Sequence, residues 1–468
     1  MTSRRRDDTQ STGVLLRDLG PIFKAYDVRG VVPDALDTDV ARAIGAAFAD
    51  FNERAPVVVA HDMRPSSPAL AAAFAEGAAD RGSDVTRAGL GSTDLLYFVA
   101  GHESMAGAMF TASHNPAQYN GIKMCGPGAT PIGEETGLTR IRALAERDLP
   151  PVDSPGTVRD RDYLADYATY LRSLVDLSDI RTLRVVIDAG NGMAGHTVPA
   201  VLGDAVGAAP PLSVDPLYFE LDGTFPNHPA DPMNPKNTEA LRRRVRDSRA
   251  DLGLAFDGDA DRCFVVDERG EPVPPSAITA LVATRQLAVE PGGTVIHNLI
   301  TSTAVPEIVR EHGGTPIRTR VGHSFIKARM AETGAIFGGE HSGHYYFREF
   351  WRADTGMLAA LHVLAALGHS TRPLSELAAE FSRYSASGEI NSEVSDQAER
   401  TAAVRSAFAG EPGVEIDELD GLSVLFGDGS WFNLRPSNTE PLLRLNVEGA
   451  DEETMRSLRD RVLEIVRA

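Results

Sequence analysis

Three stretches of this chain repeat one pattern of apolar and polar positions. Each opens with a short run of apolar, largely β-branched residues: "VVVAHD" (57–62), "LRVVIDAGNG" (183–192) and "GGTVIHNLITS" (292–302). Each run ends in a polar turn and leads into a segment with helical spacing. Short apolar runs bounded by turns suit buried strands, and the segments that follow suit helices packed on them. After the first run, Ser66 and Ser67 are expected to cap a helix with Pro68 in its first turn and Gly82 at its close. After the third, "TAVPEIVREHGG" reads as a helix and "TPIRTRVG" as the next strand. Strand, helix and strand, three times over, predict α/β units with mixed or mostly parallel sheets. The end of the chain differs. There "WFNLRP" (431–436) and "LLRLNVEG" (442–449) read as strands flanking "SNTE", and "DEETMRSLRDRVLEIV" reads as a capped amphipathic helix, a small α+β domain.

At 468 residues the chain exceeds a single hydrophobic core, so three or four domains are expected. A formal charge of −20 repels nucleic acid and anionic lipid, so neither is expected as a partner, and an anionic substrate needs a local basic pocket. Cys125 and Cys263, the only two cysteines, point to a reducing compartment. "MTSRRRDDTQSTG" has no apolar stretch after its arginines, and no run approaches the ~18 apolar residues of a membrane span. A cytoplasmic protein with a frayed polar start is expected. Of 46 basic residues only Lys24, Lys123, Lys236 and Lys327 are lysines, so each lysine but Lys236 is a candidate for a place that needs a compact ammonium.

Four motifs carry chemistry. "TASHNPAQYNGIK" lines up Ser113, His114 and Asn115 ahead of Lys123. Neighbours in an extended loop point apart, so Ser113 and His114 are not expected to act as nucleophile and base. "DGDADR" sets Asp257, Asp259 and Asp261 two residues apart. Three converging carboxylates call for a hard divalent cation such as Mg²⁺. An EF-hand is excluded because Arg262 stands where the turn glycine is required. An aspartyl-phosphate nucleophile at Asp257 and a solvated acidic turn remain as alternatives. "GGEHSGHYYF" offers Glu340, His341, Ser342 and His344, and "RVGHSFIK" offers His323 and Lys327. These suit a loop that reads hydroxyl groups better than a zinc site. "LRPSNTEPLLR" gathers Arg435, Ser437, Asn438, Thr439 and Arg444, donors suited to a phosphate dianion. "DAGNGMAG" also contains G-x-G-x-x-G at Gly190, Gly192 and Gly195 with Asp215 beyond, a weak dinucleotide signal. Together the four motifs fit phosphoryl transfer to a sugar hydroxyl.

The order "FKAYDVRG" (23–30), "TASHNP", "DGTFPNHPADP" (222–232), "DGDADR", "GEHSGH" and "RPSNTEP" resembles the α-D-phosphohexomutase family, most closely its bacterial phosphomannomutase/phosphoglucomutase branch. The resemblance implies an α/β protein of four domains around a central cleft, three similar units with mixed sheets and a small α+β fourth. Borders are expected at 1–162, 163–270, 271–380 and 381–468. It implies reversible transfer between the 1- and 6-positions of mannose or glucose phosphate, through phosphoserine and a hexose 1,6-bisphosphate. A phosphoglucosamine mutase is the alternative, and a sugar phosphatase a more distant one. By the same resemblance Ser113, His114, Lys123 and Arg262 are catalytic. One Mg²⁺ is held by Asp257, Asp259, Asp261 and Ser113. Substrate contacts fall to Tyr26, Arg29, Arg64, Asn115, His323, Lys327, Glu340, Ser342, His344, Arg435, Ser437, Asn438 and Thr439. Lys123 and Lys327 are expected to face the cleft. His341 fills a variable slot that bears on sugar preference. The hexose phosphate is the only partner expected, in a monomer or weak dimer.

Overall fold

The computed structural model describes residues 17–437 and 442–468, apart from the His323 side chain. Two compact units form. Among the described residues, one comprises 17–91 with Val99–Tyr163, the other Ser92–Phe98 with those from Leu164 onward.

The three apolar runs become the central strands of three sheets. Val57–His61 lies parallel to both Val85–Leu90 and Ala106–Phe110. Leu183–Asp188 lies parallel to Leu212–Leu217 and Leu252–Phe256. Thr294–Asn298 lies parallel to Thr315–Thr319 and Phe337–Gly339. In each sheet the third of these strands then turns back into an antiparallel neighbour: Tyr119–Gly126, Cys263–Asp267 and Tyr345–Phe347 respectively. The sheets are therefore mixed, as expected, and share one topology.

That topology places the chemistry. The turn from third strand to antiparallel neighbour is residues 111–118 in the first sheet, 257–262 in the second and 340–344 in the third. These hold "TASHNPAQ", "DGDADR" and "EHSGH", three different motifs at one topological position. Each lies beyond the carboxyl end of a parallel strand, the edge where open α/β sheets bind ligands.

The fourth sheet is antiparallel throughout, in the order Ser385–Glu393, Leu442–Gly449, Trp431–Pro436, Leu422–Leu425, Glu415–Asp417. Trp431–Pro436 and Leu442–Gly449 match the expected strands. The helix Glu452–Val466 is capped by the Asp451 side chain, which accepts from Thr454 N–H. With Gln397–Phe408 it covers one sheet face over Phe408, Phe432 and Val462.

The expected serine cap is not formed. Helix Ser67–Asp80 starts without a side-chain cap bond from Ser66. Both serine hydroxyls instead accept from Asn120 Nδ2 at 2.8 Å, and Ser67 Oγ donates to Asp62 at 2.6 Å. The hydroxyls tie the helix start to the sheet rather than to its own backbone.

Candidate active site

In the first unit, Ser113 adopts φ 48°, a left-handed conformation that costs a non-glycine residue about 1 kcal/mol. The loop is held in it through its backbone. Ser113 N–H donates to Thr111 Oγ1 at 2.9 Å, and Arg64 Nη2 donates to the carbonyls of Ser113 and Asn115 at 2.9 and 2.7 Å. Arg64 Nη1 donates to the carbonyls of Pro116 and Tyr119, both at 2.9 Å, and Nε faces Asp62 at 3.3 Å. The Arg64 side chain is 0% exposed, which corrects its expected role: it braces the loop from beneath and presents nothing to a ligand. Arg29 does similar work, donating to Ala112 O at 2.8 Å and to Asn115 Oδ1, with Nε on Asp27. Asn115 is thus engaged by Arg29. Tyr26 and Lys123 are half-buried in the same unit.

The left-handed turn corrects a second expectation. Ser113 Oγ lies 3.2 Å from His114 Nδ1, because a reversal of chain direction at φ 48° swings neighbouring side chains together. His114 is exposed and Ser113 is 4% exposed.

In the second unit, Asp257, Asp259 and Asp261 are all at most 1% exposed, and each offers an oxygen within 4.8 Å of the others. Arg262 steadies the first: its N–H and Nε donate to Asp257 at 3.1 and 2.9 Å. Burial lowers the guanidinium's proton affinity, but the aspartates, Asp257 foremost, outweigh it and keep Arg262 charged. Three buried carboxylates converge beside one guanidinium. An all-oxygen donor set of this kind fits a hard divalent cation. A second group, Asp261, His344 and Asp354, overlaps the first. Asp354, however, is held by Lys327 at 2.7 Å and by His344 Nδ1 at 2.9 Å, so its charge is already met. Burial lowers the His344 pKa, and Asp261 and Asp354 more than restore it, so the ring sits above its ordinary value.

Two supports of this loop were not anticipated. Thr93 Oγ1 donates to Asp259 Oδ2 at 2.5 Å and Thr93 N–H to its carbonyl at 3.1 Å. Beside it, the Asp94 carboxylate accepts from Ser92, from Tyr167 OH at 2.7 Å and from Thr355 Oγ1 at 2.7 Å. In the sequence, "STD" before an apolar helix looks like an ordinary cap, which hid both residues. Burial pushes the Asp94 carboxyl up to about 6 against the pull of those three hydroxyls. A raised carboxyl favours the folded state below the ordinary carboxylate range and loses that advantage as pH rises toward 6. In chelator, the stability of wild type relative to Asp94→Asn should therefore fall by about 2 kcal/mol between pH 4 and 7. Urea unfolding across that range checks it, and a flat difference would rule it out.

The second support is the glycine turn. Met193 N–H donates to Gly258 O at 2.9 Å, and a Cβ at Gly192 would meet that oxygen at 2.7 Å. Gly258 is the peptide between two of the aspartates. A Cβ at Gly195 would meet Phe219 O at 2.2 Å, and Asp215 is paired with Arg244 at 2.7 Å. Gly192 and Gly195 thus pack against backbone, that of the metal loop included, leaving no approach for a pyrophosphate at either. Gly192→Ala should push Gly258 outward and weaken divalent-cation binding about tenfold, the scale of a displaced supporting contact. Calorimetric Mg²⁺ titration that matched wild type would defeat this.

In the third sheet, Glu340 is 2% exposed and accepts from Asn298 Nδ2 at 3.2 Å, Gly322 N–H at 3.1 Å and Tyr346 OH at 2.7 Å. Of about four acceptor positions on a carboxylate, one remains for a ligand. Ser342 is half-buried. Lys327 is buried, with its ammonium 4.1 Å from the Tyr97 ring centre and paired to Asp354, so the expected open lysine is an internal one. Lys236 is exposed. His341 lines a cavity of about 150 Å³ with Trp431 and Asn446, and burial lowers its pKa with Glu389 partly offsetting. Arg435 and Ser437 lie at the end of Trp431–Pro436, while Asn438, Thr439 and the His323 side chain fall outside the described residues.

The comparisons bear on all four parts. Models of phosphoglucomutase/phosphomannomutase match in sequence order: alpha/beta/alpha domain I at 20–150, domain II at 162–270, domain III at 274–384 and the C-terminal domain at 389–465. A protein of Xanthomonas campestris pv. campestris named phosphohexose mutases is 41% identical over 432 residues, covering 92% of this chain and 95% of that one. An Escherichia coli phosphomannomutase is 39% identical over 454 residues, covering 95% and 99%. The crystal structure of a phosphoglucomutase/phosphomannomutase family protein from Burkholderia thailandensis matches with a TM-score of 0.84 at 32% identity, covering 95% and 97%. The chain belongs to the phosphoglucomutase/phosphomannomutase family. With membership comes phosphohexose mutase activity, an isomerisation. Among the described residues, no helix is long and apolar enough to cross a membrane.

Proposed function

We propose that this enzyme interconverts the 1- and 6-phosphates of both mannose and glucose, with Ser113 as phosphoryl carrier and a hexose 1,6-bisphosphate as intermediate and activator. What carries the reading is the strained, backbone-braced presentation of Ser113 with His114 Nδ1 at 3.2 Å. In the first half-reaction the sugar hydroxyl oxygen bonds to phosphorus as the bond from phosphorus to Ser113 Oγ breaks, and the hydroxyl proton passes by way of His114 Nδ1 to the freed Oγ. In the second, Ser113 Oγ attacks the other phosphate of the bisphosphate and gives its proton to His114 Nδ1, while the bond from that phosphorus to the sugar oxygen breaks and the sugar oxygen takes up the proton. Mg²⁺ bound by Asp257, Asp259 and Asp261 would supply charge neutralisation for the phosphoryl oxygens. Lys123 and Arg262 add fixed positive charge. A hydrolase acting through Asp257 is disfavoured because Arg262 bonds both oxygens of that carboxylate.

Glu340 and Ser342 read hydroxyls common to both sugars. His341, which lines a cavity with Trp431, is the residue that would defeat dual specificity if it reached C2. We assign the metal as a single Mg²⁺, the compartment as cytoplasmic, the assembly as monomer or weak dimer, and the domain borders as 1–162, 163–270, 271–380 and 381–468. Intact mass before and after incubation with a hexose monophosphate should show one phosphoryl group gained or lost. A kcat/KM ratio for mannose 1-phosphate over glucose 1-phosphate beyond about a hundredfold, the discrimination of one well-read hydroxyl, would defeat dual specificity.

A further inference from the structure

Arg435 and Arg444 stand opposite each other in register on Trp431–Pro436 and Leu442–Gly449. Glu389 lies between them, at the point in Ser385–Glu393 where the register with Leu442–Gly449 shifts. Its Oε2 is 3.5 Å from Arg435 Nη2 and its Oε1 3.5 Å from Arg444 Nη1. Asp420 reaches Arg435 Nη1 only at 3.8 Å, and that carboxylate is drawn to Val321 N–H at 3.1 Å. These are loose pairs. Charge-assisted bonds run about 2.7–2.9 Å, and Arg262 meets Asp257 at 2.8 Å. The Nε groups of Arg435 and Arg444 are also buried with no hydrogen-bond partner among the described residues. Buried donors are rarely left unmade. Two guanidinia share one distant carboxylate and hold two donors in reserve, which is the geometry of a site lacking an anion.

We propose that Glu389 is a resident competitor for the substrate's non-reacting phosphate. It keeps Arg435 and Arg444 charged and aligned while no substrate is bound, and it yields them to a phosphate dianion, which has three oxygens to offer where the carboxylate has two. Arg444 thereby joins the phosphate clamp. This rests on the reading of Arg435 as a phosphate ligand. In a mutase the phosphorylated sugar must both bind and release, and a competing carboxylate limits how tightly it is held.

The test is calorimetric binding of glucose 1-phosphate and of inorganic phosphate to wild type, Glu389→Gln, Glu389→Asp, Arg435→Gln and Arg444→Gln, together with KM and kcat. Removing the carboxylate's charge in Glu389→Gln should tighten both ligands about tenfold or more, since a charge several ångströms from a dianion is worth at least that much even where solvent screens it. KM should fall with it while kcat does not rise. Glu389→Asp, which keeps the charge, should tighten them far less. Weaker or unchanged binding by Glu389→Gln would overturn the proposal, as would equal tightening by Asp and Gln. If Arg435→Gln bound both ligands like wild type, the clamp reading itself would fail. If only Arg444→Gln did so, the clamp would stand without Arg444, and the shared-carboxylate proposal would fall.

Discussion

A Ser113→Ala enzyme should fold and lose mutase turnover by about four orders of magnitude or more, the scale of deleting a catalytic nucleophile. It should also never acquire the mass of a phosphoryl group. Folding should survive because the loop is fixed through the backbone: Thr111 takes the Ser113 N–H and Arg64 the carbonyl, and neither bond involves the hydroxyl. Ser113→Gly separates conformation from chemistry. At φ 48° a side chain is strained and glycine is not. The glycine variant should therefore be as inactive as the alanine variant and up to about 1 kcal/mol more stable. Urea unfolding with a coupled turnover assay measures both. Wild-type turnover by Ser113→Ala would end the phosphoserine reading, and a less stable glycine variant would show that the left-handed turn carries no strain.

The elements legible in the sequence were those set by local periodicity. The runs beginning at 57, 183 and 292 became central strands because strands buried in a parallel sheet must be nearly continuously apolar, and the strands at 431–436 and 442–449 matched residue for residue because apolar positions recur through them between polar turns. The aspartate cluster was legible because a spacing of two in a tight turn leaves carboxylates little choice but to converge. What was not legible depended on partners far along the chain. Asp94 meets Thr355 across 261 positions, and Arg64 reaches the Ser113 loop across 49. A motif shows that an arginine or lysine is wanted but not which way it faces. Arg64 and Lys327 face inward, to loop carbonyls and to Asp354. The pairing of Ser113 with His114 depended on the sign of one φ angle, which the residue type alone disfavours.

The three aspartates should behave alike with metal and differently without it. Changing any one to asparagine removes an anionic ligand, so Mg²⁺ affinity should fall and turnover should drop by about two orders of magnitude or more. In chelator the variants should diverge. Asp257 is the partner of a buried guanidinium, with Arg262 at 2.8 Å. Asp257→Asn removes the bonded one of the carboxylates that hold that charge and should cost up to about 3–5 kcal/mol, the range for breaking one side of a buried pair. Asp259→Asn should cost less, since an amide oxygen can still accept from Thr93. Saturating Mg²⁺ should stabilise wild type well above Asp261→Asn. Thermal unfolding of the four proteins, each with chelator and with Mg²⁺, reads every term at once. If Mg²⁺ raised the Tm of Asp261→Asn as much as that of wild type, the ion would not be held by this loop, however well its oxygens converge.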